Sequence, residues 1–136
     1  MEYNKLEVWI EARKLTNLIY DLSKVFPKEE IYGLTNQMRR CSVSIPSNIA
    51  EGCGRQTSKD TINFLYISRG SLYELETQCY VALDQKYIDE NNFNIVFNQM
   101  QSCKKLLNGY ITVLRKIIEE SDDATWASEE ERRQKK

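Results

Sequence analysis

The sequence predicts an all-α protein, an antiparallel up-down four-helix bundle whose second helix is kinked by a proline. Apolar residues recur at steps of three and four through four segments of the chain. No segment shows the period of two that is typical of a half-buried strand. Steps of three and four that alternate over many turns favour helices packed nearly parallel to one another.

The first two helices are predicted from apolar stripes and from the residues that end them. Pro27 ends the first helix, because proline cannot continue the backbone hydrogen bonding of a helix. Gly52 and Gly54 end the second helix, since glycine is common just past a helix C-terminus. The first stripe is Val8, Ala12, Leu15, Ile19, Leu22 and Phe26, and the second is Leu34, Met38, Cys41, Ile45, Ile49 and Cys53.

The third and fourth helices follow a start signal and a polar turn. Thr57-Ser58 is typical of a helix N-cap, and Asp60 lies in the first turn, where a negative charge is favourable. A polar turn over 89–92 separates the two helices. The third stripe is Leu65, Ser68, Leu72, Leu75, Cys79 and Ala82, and the fourth is Phe93, Val96, Met100, Cys103, Leu107, Tyr110, Leu114 and Ile117.

The charge distribution divides the chain. We predict a bundle over residues 1–120 and a charged, disordered tail over 121–136, because the apolar stripe stops there. The net charge is −1, yet residues 34–70 carry five basic against two acidic residues and residues 119–136 carry seven acidic against four basic. The N-terminus has no apolar leader and no segment has the length of a membrane span, so we expect a cytoplasmic protein that does not associate with membranes.

The residues needed for most catalytic chemistry are missing. The sequence has no histidine, which removes the usual general base near neutral pH and the commonest metal ligand. The four cysteines, Cys41, Cys53, Cys79 and Cys103, are widely spaced and are expected to pack in the core. We therefore expect no catalytic residue, no metal, no cofactor and no enzymatic activity.

The segment 43–52 contains a proline inside the second apolar stripe. An interior proline costs a helix about 3 kcal/mol or more, so Pro46 indicates a packing or functional role. Asn48 and Glu51 are predicted either to satisfy the backbone groups that Pro46 frees or to form a buried polar network between helices or subunits. Gly70 lies inside the third helix, at a cost of up to about 1 kcal/mol relative to alanine, and we predict a close helix approach there.

The basic residues of the second and third helices form the candidate nucleic-acid-binding set. Antiparallel pairing places Arg69 about one turn from Arg39 and Arg40, and it places Arg55 and Lys59 together at the hairpin tip. These five cations are predicted to form one basic stripe along the hairpin. Such a stripe could follow a phosphate backbone.

Aromatic and acidic residues near the stripe leave an alternative open. Tyr66 and Tyr73 lie close to it. The same cations could instead form a solvated face paired with Glu74 and Glu76. They could also be buried in salt bridges between subunits.

One set of motifs resembles the four-helix-bundle proteins encoded in intervening sequences of bacterial 23S rRNA genes, in order from about residue 3 to 118. The motifs are Leu6-Glu7-Val8-Trp9, Ala12-Arg13, Phe26-Pro27, Tyr32-Gly33-Leu34, Gln37, Arg39-Arg40, Ser44-Ile45-Pro46-Ser47-Asn48-Ile49-Ala50-Glu51-Gly52, Arg69-Gly70-Ser71 and Glu74-Leu75. The resemblance implies a cytoplasmic bacterial homopentamer and a second helix that continues, kinked, through the proline. It also extends to the accessory protein of diversity-generating retroelements, a basic branch of the same fold that binds nucleic acid.

Two functions are compatible with these features. The first is a non-enzymatic homo-oligomeric bundle that binds structured RNA or DNA, associated with rRNA, through the basic stripe. The second is a homopentameric scaffold that binds another protein and no nucleic acid.

Overall fold

The structure, a computed structural model, describes residues 2–134, with side chains described through Ser121 and again at 133–134. All regular structure in this part of the chain is helical, which confirms the predicted fold class. Two short 3-10 segments, Tyr3–Lys5 and Lys28–Glu30, accompany the four α-helices. The helices are α1 (Glu7–Ser23), α2 (Leu34–Cys53), α3 (Ser58–Asp84) and α4 (Glu90–Gln134).

Each helix packs against two neighbours in the ring order α1, α2, α3, α4. Hydrogen bonds give the direction of α1 against α2. Thr16 donates to the carbonyl oxygen of Ser42, and Arg39 donates to the hydroxyl of Ser23. Ser23, late in α1, contacts Arg39, early in α2, whereas Thr16 contacts the later Ser42. These two helices are therefore antiparallel.

The same reasoning orients α3 against α2. The Thr61 hydroxyl donates to the carbonyl oxygen of Gly52 at 2.8 Å, and the Ser68 hydroxyl donates to that of Ile45 at 2.9 Å. The residue numbers again run in opposite directions along the two helices. The hairpin of α2 and α3 is therefore antiparallel, as an up-down bundle requires.

The core is built from the predicted stripes, with one shift in α4. All six residues of the α3 stripe are buried, as are most of those of α1 and α2. In α4, Ile111 is buried where we predicted Tyr110, which is half-buried. Ile117 is 46% exposed, and Ile118 packs against the core instead. The predicted stripe repeats every 3.5 residues on average, whereas a straight helix has 3.6 residues per turn. The buried face therefore drifts from the predicted stripe by about 20° per heptad.

Helix α4 continues through residues 121–134, for which the sequence predicts disorder, and 135–136 lie outside the described residues. Strong helix formers and the lack of glycine or proline after Gly109 favour continued helical backbone. The described buried residues of α4 end at Leu114. The division into a bundle over 1–120 and a disordered tail over 121–136 therefore stays a prediction.

Gly54 caps α2 as predicted, but the prediction that Gly52 also ends it is wrong, because the helix continues to Cys53. A Cβ atom on the buried Gly52 would lie 3.0 Å from the Cβ of Phe64 and 3.1 Å from the carbonyl oxygen of Thr61. A Cβ on Gly70 would meet no atom within 4 Å, and this residue is exposed. A close helix approach thus occurs at Gly52, inside α2, and no described residue makes the approach that we predicted at Gly70.

Candidate nucleic-acid interface

Pro46 is accommodated by a hydroxyl from the neighbouring helix. Proline has no N–H, so the carbonyl oxygen of Ser42, four residues earlier, loses its helical donor. The Thr16 hydroxyl of α1 lies 2.9 Å from this oxygen and donates to it. As a result α2 stays one helix from Leu34 to Cys53, as the resemblance implied, with Pro46 buried inside it.

Asn48 and Glu51 do not serve the backbone group that Pro46 frees. The Asn48 amide donates to the carbonyl oxygen of Ser44 at 2.8 Å and to its hydroxyl at 3.0 Å. Glu51 is exposed and pairs with Arg55 at 3.3 Å. The predicted repair of the helix by these two residues is therefore wrong, because the freed carbonyl faces α1 and not the next turn of α2.

Arg39 is directed toward α1. Its Nε donates to the Ser23 hydroxyl at 2.9 Å, and its guanidinium carbon lies 5.0 Å from the centre of the Tyr20 ring. Both partners are electrically neutral. Arg39 is half-buried by these contacts.

Arg69 is directed toward α4, on another side of the bundle. Its Nη1 donates to the Asn108 side-chain oxygen at 3.2 Å, and its guanidinium carbon lies 5.1 Å from the centre of the Tyr66 ring. These partners are also neutral. Arg69 is therefore held as Arg39 is, by a neutral hydrogen-bond partner and an aromatic ring. It lies between α3 and α4, whereas Arg39 lies between α2 and α1.

Arg40 lies on a third side, between α2 and α3. It is exposed and lines a groove of about 400 Å³ together with Ser44, Ser71 and Glu74. The two serine hydroxyls are hydrogen-bonded to each other at 3.0 Å. Arg40 makes no ion pair with any side chain that the structure describes.

The remaining two cations lie near the hairpin tip. Arg55 pairs with Glu51, and its guanidinium carbon lies 4.6 Å from the centre of the Phe64 ring. Lys59 is exposed in the first turn of α3. The five predicted residues thus face several sides of the bundle and do not share one continuous stripe.

The carboxylates that we considered as partners of these cations have other partners. Glu76 forms an ion pair with Lys104 of α4, whose ammonium also lies 4.7 Å from the centre of the Tyr73 ring. Glu74 accepts a hydrogen bond from Gln78. Neither carboxylate neutralises the predicted binding residues in the structure.

Arg115 is a cation that sequence reasoning missed. Its Nε donates to the Tyr66 hydroxyl at 3.0 Å, and its guanidinium carbon lies 5.5 Å from the centre of that ring. Extending the antiparallel pairing to α3 and α4 would have placed Arg115 beside Tyr66. The signal that identifies Arg115 is therefore the register of α3 against α4.

The cysteines mainly fill the core. Burial raises the pKa of the Cys41, Cys79 and Cys103 thiols to about 12, so they stay protonated at neutral pH. Cys53 is half-buried, and burial raises its pKa as well. Core packing is confirmed for the first three. Within the described part of the chain, no three or more potential ligand side chains are grouped to hold a metal ion.

A model of the 23S rRNA-intervening sequence protein family matches residues 4–109. The chain belongs to this family. The match covers α1, α2, α3 and the first part of α4, including Arg39, Arg40 and Arg69, and it ends before Arg115. Among residues 2–134, no helix has both the length and the apolar content that a membrane crossing needs.

A solved relative agrees with this assignment. The crystal structure of a protein of unknown function from the S23 ribosomal protein family of Bacteroides thetaiotaomicron VPI-5482 is 25% identical to this chain, with a TM-score of 0.71. The similarity covers 76% of this chain and 97% of the other. No relative is found among curated proteins. Family membership therefore gives the fold and leaves the activity to be argued from the surface.

Proposed function

We propose that this member of the 23S rRNA-intervening sequence protein family is a non-enzymatic, homo-oligomeric bundle that binds structured RNA or DNA. The observation that carries the proposal is the neutral environment of Arg39 and Arg69. Each guanidinium is held by a hydroxyl or amide and an aromatic ring, and none of the described carboxylates pairs with it. Each guanidinium is therefore held in place and can pair with an external anion.

The physical reason lies in how proteins bind polynucleotides. Phosphate contacts supply most of the affinity, because each neutralised phosphate releases condensed counterions. An arginine is well suited to this contact since its planar group donates several hydrogen bonds in a fixed geometry. Arg55, by contrast, already pairs with Glu51 and has less charge to offer. We therefore assign Arg39, Arg40 and Arg69 as the main contacts and Arg55 and Lys59 as weaker ones.

The family name supports rRNA as the first nucleic acid to test. Oligomerisation, as a pentamer in the cytoplasm, follows from the sequence resemblance and is supported by apolar side chains left in solvent. Tyr32 is 92% exposed, Val25 78%, Val113 53% and Ile67 52%. Subunits that pack on these side chains would remove them from water. Assembly would repeat the arginines around one particle and strengthen their combined field.

A protein-interaction scaffold is the second candidate. The same exposed apolar residues favour it, since Ile67 on α3 and Val113 on α4 could bind a different protein. The net charge of −1 also gives the whole chain no overall attraction for nucleic acid. In this alternative the arginines would form salt bridges between subunits.

A binding experiment separates the two candidates. The mass of the purified protein is measured by light scattering, and its binding to a labelled 23S rRNA stem-loop is measured at low salt. We expect a mass of five chains and RNA binding that is lost in Arg39→Ala/Arg40→Ala. The matched control, Lys14→Ala, removes a cation of α1 that pairs with Glu11 and lies outside the assigned contacts, and it should bind nearly as the parent does. A pentamer that binds no RNA at low salt would contradict the proposal and leave the scaffold.

A further inference from the structure

Two arginines from different helices converge on one aromatic ring. Arg69 of α3 and Arg115 of α4 place their guanidinium carbons 5.1 Å and 5.5 Å from the centre of the Tyr66 ring. Asn108 holds Arg69, and the Tyr66 hydroxyl holds the Nε of Arg115. The ring thus fixes both cations at the junction of α3 and α4.

No carboxylate among the described side chains balances the charges of this cluster. Among the described side chains, neither guanidinium forms an ion pair with a carboxylate. Glu119, one helical turn beyond Arg115, is exposed and makes no ion pair with it. Glu76, two turns along α3, is already paired with Lys104.

Bringing two like charges to one ring is unfavourable unless something offsets their repulsion. Cation–π attraction offsets part of it, and an anion that contacts both groups would offset more. Arginine pairs are the usual means of binding a phosphate group, because each can donate two parallel hydrogen bonds to its oxygens. Since no described carboxylate pairs with either guanidinium, an external phosphate group is a ligand that fits this cluster.

We propose that Tyr66, Arg69 and Arg115 form a phosphate site that takes a phosphodiester group of a bound polynucleotide. The identity of the polynucleotide rests on the proposed function, whereas Arg115 and the α3–α4 location are additional to it. Arg69 and Arg115 contact the phosphate. Tyr66 is a positioning residue that acts through the two arginines.

The test uses the full-length protein and the labelled 23S rRNA stem-loop, with affinity measured over a series of salt concentrations. Arg69→Gln and Arg115→Gln should each lower the affinity and reduce the log–log salt slope by about 1, the value expected for one lost phosphate contact. Lys14→Gln is the matched control, since Lys14 of α1 lies outside the assigned contacts and pairs with Glu11 at 3.1 Å, and its slope should stay close to that of the parent.

Tyr66→Phe tests the positioning role. This variant keeps the ring but removes the hydroxyl that holds Arg115. We expect it to weaken RNA binding in the parent and to have no further effect in Arg115→Gln. An equal loss in both backgrounds would contradict a role through Arg115. Far-ultraviolet circular dichroism of each variant verifies that the fold is retained.

The outcomes distinguish this site from the proposed function. An unchanged slope in Arg115→Gln, together with loss of binding in Arg39→Ala/Arg40→Ala, would overturn the phosphate site and leave nucleic-acid binding in place. The absence of RNA binding by the parent at low salt would overturn both. Stabilisation of the parent by inorganic phosphate alone, without RNA binding, would show a site for the free anion and overturn the assignment to a polynucleotide.

Discussion

Among single residues, the contact between Thr16 and Ser42 explains how α2 tolerates a proline. The helix loses one backbone hydrogen bond at Pro46, and a side chain from α1 replaces it. The continuity of α2 at Pro46 therefore depends on how α1 packs against it. The sequence revealed the proline but not its partner, because Thr16 lies 26 residues earlier and its orientation depends on how α1 packs.

The first prediction concerns this contact. Thr16→Val keeps the shape of the side chain but leaves the Ser42 carbonyl without its donor, so we expect the free energy of unfolding to fall by about 1–3 kcal/mol. Urea denaturation measures the change. In the Pro46→Ala background the alanine N–H can reach Ser42 again, and the cost of Thr16→Val should be smaller. An equal cost in both backgrounds would show that the hydroxyl does not compensate for the proline.

The second prediction concerns the pH dependence of stability. The pKa of Cys79 is raised to about 12 in the folded protein, from an ordinary value of 9.0, mainly by burial. The folded thiol keeps its proton while the unfolded one ionises, so its stabilising effect is complete below about pH 9 and is lost as the pH rises toward 12. Stability should therefore fall with alkaline pH.

Cys79→Ala removes this titration and is the variant to compare. Between pH 9.5 and 10.5 its free energy of unfolding should fall less steeply than that of the parent. The two slopes should differ by about 1.4 kcal/mol per pH unit. Urea denaturation across this range gives both slopes. The slope is the informative quantity, since the substitution also lowers stability at every pH by emptying core volume. Parallel curves would contradict the raised pKa.

At the scale of helices, apolar periodicity predicted the elements well and their far ends less well. The stripes of α1, α2 and α3 matched the buried residues because each spans few enough turns for the drift to stay small. In α4 the drift accumulates, so Ile111 replaces Tyr110 in the core. Both residues are apolar enough to suit either position, and only the real helical period distinguishes them.

The third prediction tests which glycine of the α2–α3 hairpin, Gly52 or Gly70, lies at a close helix approach. Gly70→Ala should raise the free energy of unfolding by about 0.5–1 kcal/mol, because the new methyl group meets open space and alanine favours helix. Gly52→Ala should lower it, since the methyl group would press on Phe64 and Thr61. Thermal unfolding of both variants provides the comparison.

Gly109→Ala is the control for Gly70→Ala, as a Cβ at Gly109 also meets no atom within 4 Å. If Gly70→Ala alone were destabilising, a second subunit would have to approach α3 closely at that point. That result would restore the close approach predicted from the sequence, between subunits instead of within one.

At the scale of the whole molecule, the sequence identified the fold and the family but not the arrangement of the charges. Arg39 and Arg69 look alike in the sequence, yet one faces α1 and the other faces α4. Which side a long side chain takes depends on the partner that it finds on a neighbouring helix. Arg115 was missed for the same reason, since its significance comes from Tyr66.

The central claim is that this bundle binds nucleic acid through arginines that have no carboxylate partner among the described side chains. The most direct measurement is the affinity of the intact protein for a 23S rRNA stem-loop as a function of salt concentration. We predict tight binding at low salt that weakens linearly on a log–log plot, with a slope of about −0.7 to −0.9 for each phosphate contacted. Binding that does not change with salt, or no binding at low salt, would contradict the account.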